Sequence, residues 1–325
     1  MGRASLADPE LPNKTINGKI EDINICIGCL QRCIGNLIKG SPIGCLVNPT
    51  CGREKELTIK EAPLKKKVLV AGGGIAGMEA AIISARRGHE VQIYERKDRL
   101  GGQWLLAAIP PGKEEYNSLV IWQKQQIEQL GIKINLNSPV DNEIIQKIKP
   151  DVLILSTGSK QIPVNIPGSE NKNVFYTNDV LEGKVEVGKN IIVVGGGLGG
   201  SQTAAHLAVH GHQVTLITKM PEISTKLEPG NRFFLLKLLN NYGVNVMTST
   251  NINEIRSDGA VITTKNGKDV LKGYDSIVIS SRLKPVKIEE HVLEQVKELI
   301  RIGDAEKVGN GADAVVRGYE TGINL

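Results

Sequence analysis

Residues 67–95 read KVLVAGGGIAGMEAAIISARRGHEVQIYE, and the fold follows from them. Residues 68–71 are a short apolar run, the length of a buried strand. Gly72, Gly74 and Gly77 follow as G-x-G-x-x-G. Small and apolar residues then recur at helical spacing through Ala80, Ala81, Ile83 and Ala85, Gly88 stops the helix, and 91–94 make a second strand. Glu95 closes that strand, 21 residues after Gly74. Each residue type has a task in holding a dinucleotide. Gly72 permits the tight turn, Gly74 lets the backbone approach a pyrophosphate, and Gly77 lets helix and strand pack closely. Ile75, Ala76 and Gly77 open the helix, where unpaired N–H groups meet an anion. Glu95, with Arg96 beside it, stands where a carboxylate accepts from a ribose diol. The plain alternative is a glycine turn without a ligand. The strand before, the helix after and the acid at this distance all favour the dinucleotide.

The pattern then starts over. A strand over 190–194 leads to Gly195, Gly197 and Gly200, again G-x-G-x-x-G, with Leu198 opening the next helix. A helix over 201–209 and a strand over 213–217 follow, so the chain holds an internal repeat. The second strand ends at Thr218-Lys219, without an acid. A ribose 2′-hydroxyl prefers Asp or Glu there and a 2′-phosphate prefers a cation, so this end leans toward NADPH over NADH.

Between and beyond the repeats lie further candidate contacts. Gly101 and Gly102, with Gln103 next to them, read as a second close-approach turn. Ser156-Thr157-Gly158 follows a strand over 152–155, where small residues bring backbone to a ligand. Gly303-Asp304 ends a strand and precedes a helix over 313–321. Asp304 is a candidate for a cofactor hydroxyl, or a helix cap. The spacing also predicts helices over 116–130 and 232–242 and strands over 132–136 and 244–247, with 260–264 and 276–279 completing the second sheet. His206 and His210, four apart, read as a helix face, since no third ligand accompanies them.

Length and charge narrow the classes. The chain has 325 residues, room for two domains and an extra segment. The net charge of +5 has no long basic stripe; Lys65 to Lys67 is the densest run, and nucleic-acid binding is not indicated. No apolar stretch reaches the length of a membrane span and no signal peptide is visible, so a cytoplasmic protein is expected.

All five cysteines fall within 26–51. Cys26, Cys29, Cys33 and Cys45 are spaced C-x2-C-x3-C-x11-C, while Cys51 reads as a buried small hydrophobe. Such crowding favours metal binding over disulfides. A second C-x2-C knuckle, usual for zinc, is missing. The pattern therefore points to an iron–sulfur cluster, with structural zinc as the alternative.

Taken together, the cysteine block with its CIGC and CLVNP, the first glycine loop with Glu95, the STG, the second glycine loop and the IGDA resemble the C-terminal part of 2,4-dienoyl-CoA reductase. Trimethylamine dehydrogenase and the enoate reductases are similar in architecture. GRASLADPELPNK resembles the tail of the barrel domain that precedes this part in the family. The resemblance implies an α/β fold of two three-layer, Rossmann-like dinucleotide-binding domains, one inserted in the other. An FAD-binding domain would span 63–163 and 287–325, an NAD(P)-binding domain 164–286, and a barrel-tail and cluster segment 1–62. FAD would lie on Gly72, Gly74, Gly77, Glu95 and Asp304, with Arg96, Gly102, Gln103, Thr157, Gly158 and Gly303 at the same strand ends. NAD(P)H would lie on Gly195, Gly197, Leu198 and Gly200, near Thr218 and Lys219, and a 4Fe–4S cluster on the four cysteines.

Hydride would pass from NAD(P)H to the flavin, and single electrons would leave through the cluster to FMN in a separate barrel subunit. Arg282 stands in SSRLKP where the family usually has glycine, and Thr218 where many NADH-using relatives carry an acid. The competing readings are an inactive nucleotide-binding scaffold and a reductase like the glutamate-synthase small subunit. A disulfide reductase is disfavoured because no cysteine follows Cys51.

Overall fold

The computed structural model describes residues 1–288 and 296–325. Three short helices come first: α1 (Gly2–Ala7), α2 (Leu11–Ile16) and α3 (Ile34–Ile38). The first glycine stretch gives β1 (Lys67–Ala71), α4 (Ile75–Arg86) and β2 (Glu90–Tyr94). Next come α5 (Trp104–Ala107), α6 (Asn117–Gln129), β3 (Lys133–Asn135), α7 (Asn142–Ile148), β4 (Val152–Leu155) and β5 (Ser159–Gln161). The repeat runs through β6 (Val174–Tyr176), α8 (Thr177–Leu181), β7 (Asn190–Val194), α9 (Leu198–Val209), β8 (Gln213–Ile217), α10 (Pro229–Asn241) and β9 (Asn245–Met247). Last are β10 (Asn251–Arg256), β11 (Gly259–Thr264), β12 (Gly267–Lys272), β13 (Ser276–Ile279), β14 (Leu283–Pro285), β15 (Glu298–Arg301) and α11 (Gly311–Ile323).

The chain divides into two units. The first comprises Met1–Ala108, Glu115–Lys160 and Lys284–Leu325, the second Ile109–Glu114 and Gln161–Leu283. In the first, a parallel sheet runs β15-β4-β1-β2-β3. Strands buried on both faces read as unbroken apolar runs, as 68–71 and 152–155 do. On one face Val68, Val70, Ile93 and Ile154 pack with Met78 and Ile82 of α4, Ile127 of α6 and Val315 of α11. Ile27, Leu46, Val47 and Leu57 of the cysteine segment join that same core. On the other face Leu69, Leu153 and Leu155 pack with Ile145 of α7.

The second unit repeats the strand order, β6-β13-β7-β8-β9, all parallel. Ile191 and Val193 pack with Leu207 of α9 and Leu239 of α10. Ile192, Ile277 and Ile279 pack with Ile252, Ile255 and Ile262 on the opposite face. Here one expectation is corrected. Residues 260–264 do not complete the parallel sheet. They are the middle strand, β11, of a separate antiparallel sheet β10-β11-β12. The tight 264–267 turn returns the chain antiparallel onto β11, and no crossover helix is present to make the strands parallel. Helix α10 also starts three residues before the expected 232, because Pro229 at its first turn has no N–H to satisfy.

The close seat of α11 on α4 depends on glycine. A Cβ on Gly318 would stand 2.4 Å from the Ala76 carbonyl oxygen and 3.0 Å from the Glu79 Cβ, and one on Gly322 2.7 Å from the Ile83 Cβ. Glu79 itself is 3% exposed and accepts a hydrogen bond from Gln123 Nε2 at 2.9 Å. Burial pushes its carboxyl up to about 7. Gln123 Oε1 has no partner among the described residues.

Two outcomes follow. Ala is the better helix former by about 1 kcal/mol, but the clash at Gly318 costs about 1–3 kcal/mol. Gly318→Ala should therefore lower the urea midpoint rather than raise it. The folded pKa of Glu79 lies above its ordinary value, so its contribution is full below pH 4.5 and lost as pH rises through 7. Between pH 4.5 and 8 the parent protein should lose on the order of 3 kcal/mol that Glu79→Gln retains, measured by urea unfolding of both across that range.

Candidate cofactor cleft and cysteine chamber

In a sheet of this order the strand sequence reverses between β1 and β4, and a crevice opens outside their carboxyl ends. A cleft lies there. Its walls include Gly72, Gly74, Glu95, Arg96, Gly102, Gln103, Thr157 and Gly158. Gly72 turns with φ +114°, and its missing Cβ would meet the Ser156 carbonyl oxygen at 2.4 Å. A Cβ on Gly77 would stand 2.1 Å from the Gly72 oxygen, so Gly77 serves packing beneath the cleft rather than its wall. Gly74 has open space where its Cβ would be. Ser156 Oγ donates to the Gly72 carbonyl at 2.7 Å and fixes the turn.

Glu95 is 7% exposed. Its two oxygens accept from the N–H groups of Gly73 at 2.7 Å and Lys97 at 2.8 Å. Each carboxylate oxygen keeps a lone pair for a further donor. Gly101 and Gly102 do form a close-approach turn. The Gly101 N–H donates to the Gly73 carbonyl at 2.8 Å, and a Cβ on Gly102 would stand 3.0 Å from the Gly74 Cα.

Ile75 and Ala76 sit in the first turn of α4, under the cleft, and Gly303 packs on Ala76, its absent Cβ 3.1 Å from Ala76 Cβ. Asp304 is not a helix cap. Asn310 caps α11 instead, accepting from the Asp313 N–H at 3.0 Å, because the helix begins seven residues after Asp304. Asp304 connects to the cleft through Ser159, which the motif reading missed although it directly follows Gly158. Gln103 Nε2 donates to Ser159 Oγ at 3.0 Å, and that hydroxyl donates to Asp304 Oδ2 at 2.6 Å. The loop residues Pro139 and Val140 also line the cleft. No local motif marks them, since the sheet register alone brings them there.

In the second unit Gly195, Gly197, Leu198 and Gly200 occupy the corresponding turn after β7, with Thr218 and Lys219 at the end of β8. A Cβ on Gly200 would stand 1.9 Å from the Gly195 oxygen, the same close packing as in the first loop. Arg282 is exposed, and its carbonyl accepts from the Ile162 N–H.

Cys26, Cys29, Cys33 and Cys45 line one chamber with Ile27, Leu30, Leu46 and Val47. The loop that carries them turns at Gly28 (φ +63°) and Leu30 (φ +58°), the latter a left-handed conformation rarely taken by a branched residue. Asn24 Nδ2 holds the Val47 carbonyl at 2.6 Å, and Gln31 Oε1 accepts from the Ala312 N–H at 3.2 Å. Burial, with the neighbouring thiols, pushes Cys29 up to about 12; burial likewise pushes Cys45 up to about 11. Buried thiols of this kind ionise only around a positive centre. Among the described residues no three His, Cys, Asp or Glu converge closely enough to hold a metal ion. Cys51 is buried and is not part of the chamber wall. The rings of His206, in the last turn of α9, and His210, its C-cap, lie 4.3 Å apart and tilted by 46°.

Residues 13–142 and 66–287 match the pyridine nucleotide-disulphide oxidoreductase family. The chain belongs to that family. It is an oxidoreductase and a flavoprotein, and it uses NAD(P). NADH oxidase of Thermoanaerobacter brockii is 38% identical, covering 98% of this chain and 50% of that protein. Cinnamate reductase of Clostridium sporogenes is 34% identical, covering 100% of this chain and 49% of that protein. A solved 2-naphthoyl-CoA reductase, in complex with 2-naphthoyl-CoA, superposes with a TM-score of 0.96 at 35% identity, covering 99% of this chain and 50% of that one. The chain thus spans about half the length of the relatives it matches. No helix among the described residues is long and apolar enough to cross a membrane.

Ser159 gives a direct check on the cleft's geometry. Ser159→Ala removes the 2.6 Å hydrogen bond to a carboxylate, worth about 2 kcal/mol. The urea midpoint should fall accordingly, and Ser159→Thr, which keeps the hydroxyl, should recover most of the loss.

Proposed function

We propose that the chain is an electron-transfer reductase that draws electrons from NAD(P)H and hands them to a separate FMN-binding barrel protein, as part of an enoate- or dienoyl-CoA-reductase-type assembly. The observation that carries this reading is the chamber: four cysteines spaced C-x2-C-x3-C-x11-C line one cavity, in the same unit as the first glycine-loop cleft. A zinc ion, with Zn–S bonds of about 2.3 Å, draws four sulfurs to a point. Four cysteines along one cavity, without a second C-x2-C knuckle, suit a 4Fe–4S core better than a zinc ion. Residues 63–163 and 287–325 are assigned to FAD, 164–286 to the nicotinamide nucleotide and 1–62 to the cluster.

When bound, FAD turns a two-electron hydride into single electrons and the cluster conducts them. The chain's own residues do the positioning. Glu95, held by two backbone N–H groups, offers its remaining lone pairs to the adenosine ribose. The Gly74 turn brings bare backbone to the pyrophosphate. Gln103 and Asp304, tied together through Ser159, hold that side of the cleft in place for the rest of the flavin nucleotide. Leu30, Leu46 and Val47 keep water from the sulfurs and so tune their potential.

Ile25, Ile34, Leu37, Ile38 and Ile43 are exposed within the same short stretch as the cysteines. Exposed apolar side chains mark a protein contact, and here they belong to the segment that carries the cysteines. NADH oxidase and cinnamate reductase are about twice as long as the part this chain matches, and the proposal gives the remaining chemistry to the barrel.

Protein purified without oxygen should carry about one FAD and roughly four iron and four sulfide per chain, and NAD(P)H should bleach the flavin. Zinc in place of iron, with no flavin, overturns the proposal. Bound cofactors that NAD(P)H leaves oxidised would favour the inactive scaffold instead.

A further inference from the structure

The wall of the cysteine chamber carries two guanidinium groups, Arg3 and Arg32, and no carboxylate. From Ile23 to Gly52 the chain holds no Asp or Glu. Arg32 stands directly before Cys33 in sequence, and Gly44 directly before Cys45. The two are in contact. The Gly44 N–H donates to the Arg32 carbonyl at 3.0 Å. The Arg32 side chain folds over Gly44, its Cβ, Cδ and Nε lying 3.5, 3.7 and 3.9 Å from where a Gly44 Cβ would stand. One arginine thus bridges the two segments that bring the third and fourth cysteines to the chamber.

The charge on that arginine is unanswered within the chain. Arg32 is half-buried, and among the described residues its guanidinium has no hydrogen-bond or ion-pair partner. The other half-buried arginines are matched: Arg53 and Arg232 pair with Glu320 and Glu222, and Arg87 donates to the Lys60 carbonyl. A partly desolvated guanidinium with donors and no acceptor is costly to keep. Ile27, Leu30, Leu46 and Val47 line the same chamber, so a charge there is screened far less than in water. Four thiolates around an iron–sulfur core are net negative, and each electron that enters adds to that charge. Charge and hydrogen bonds at the sulfurs help set the potential of such a cluster.

We propose that Arg32 is the counter-charge of the cluster: its guanidinium, held across Gly44 on the Cys33 and Cys45 side, stabilises the reduced form and raises the potential. Each electron that leaves the reduced flavin adds one negative charge at the sulfurs, with no bond made or broken, and Arg32 offsets that charge without a proton. This deepens the electron-transfer reading and rests on it.

The test uses the full chain, purified without oxygen with its cofactors, and reads the cluster's midpoint by a redox titration followed by electron paramagnetic resonance. Arg32→Gln, which keeps a donor and removes the charge, should lower the midpoint by about 59 mV, a tenfold change in the reduction equilibrium, at unchanged iron and sulfide content. Arg32→Lys, which keeps the charge, should recover most of that shift. Arg3 is the control: it is exposed on α1, where solvent screens it, and Arg3→Gln should move the midpoint much less. An Arg32→Gln protein with full iron and the parent's midpoint overturns the assignment and leaves the electron-transfer reading standing. If Arg32→Gln loses its iron, the lysine variant decides. Full iron and a midpoint near the parent's uphold the counter-charge, while loss of iron there as well makes Arg32 a packing residue of the loop and overturns it. Parent protein that carries no iron overturns both readings.

Discussion

Carbonyl oxygens and missing side chains set this structure. The Gly72 oxygen lies 2.1 Å from where a Cβ of Gly77 would be, and the Gly195 oxygen 1.9 Å from that of Gly200. Only glycine lets a helix begin that close to the strand it follows. Because α4 starts there, its free N–H groups face the carboxyl end of the sheet, and the cleft between β1 and β4 has a floor of backbone. The packing of α11 obeys the same rule through Gly318 and Gly322. Much of the glycine content is thus spent where backbone must touch backbone.

The two units show how one frame takes on two chemistries. Their sheets share strand order and their loops share hydrogen bonds, yet the opposite faces are covered differently, by α7 in one and by the β10-β11-β12 sheet in the other. The frame is set by glycine and strand register. The side chains at the strand ends differ: the first loop closes on the carboxylate of Glu95 and the second on the hydroxyl of Thr218.

Local signals in the sequence were strong wherever geometry forces a residue type. The glycine loops and the buried runs of β1, β4, β7 and β13 all correspond to positions where few alternatives fit. The separate sheet containing β11 was not legible, because an apolar run of five residues does not tell which sheet it joins. The cap role considered for Asp304 falls to Asn310, and the link of Asp304 to the cleft is hidden in the sequence because its partner Ser159 is 145 residues away. Pro139 and Val140 were invisible for the same reason: they reach the cleft by register alone. The antiparallel pairing of β10 to β12 is local, but only the turns between them, at Gly259 and Gly267, announce it.

The hydrogen bond from Ala312 to Gln31, with that from Tyr319 to the Leu57 carbonyl, joins the last helix to the cysteine segment. The thiol loop is thereby braced by residues 281 and 262 positions away in sequence, so its geometry is inherited from the closure of the whole first unit rather than from its own short helices.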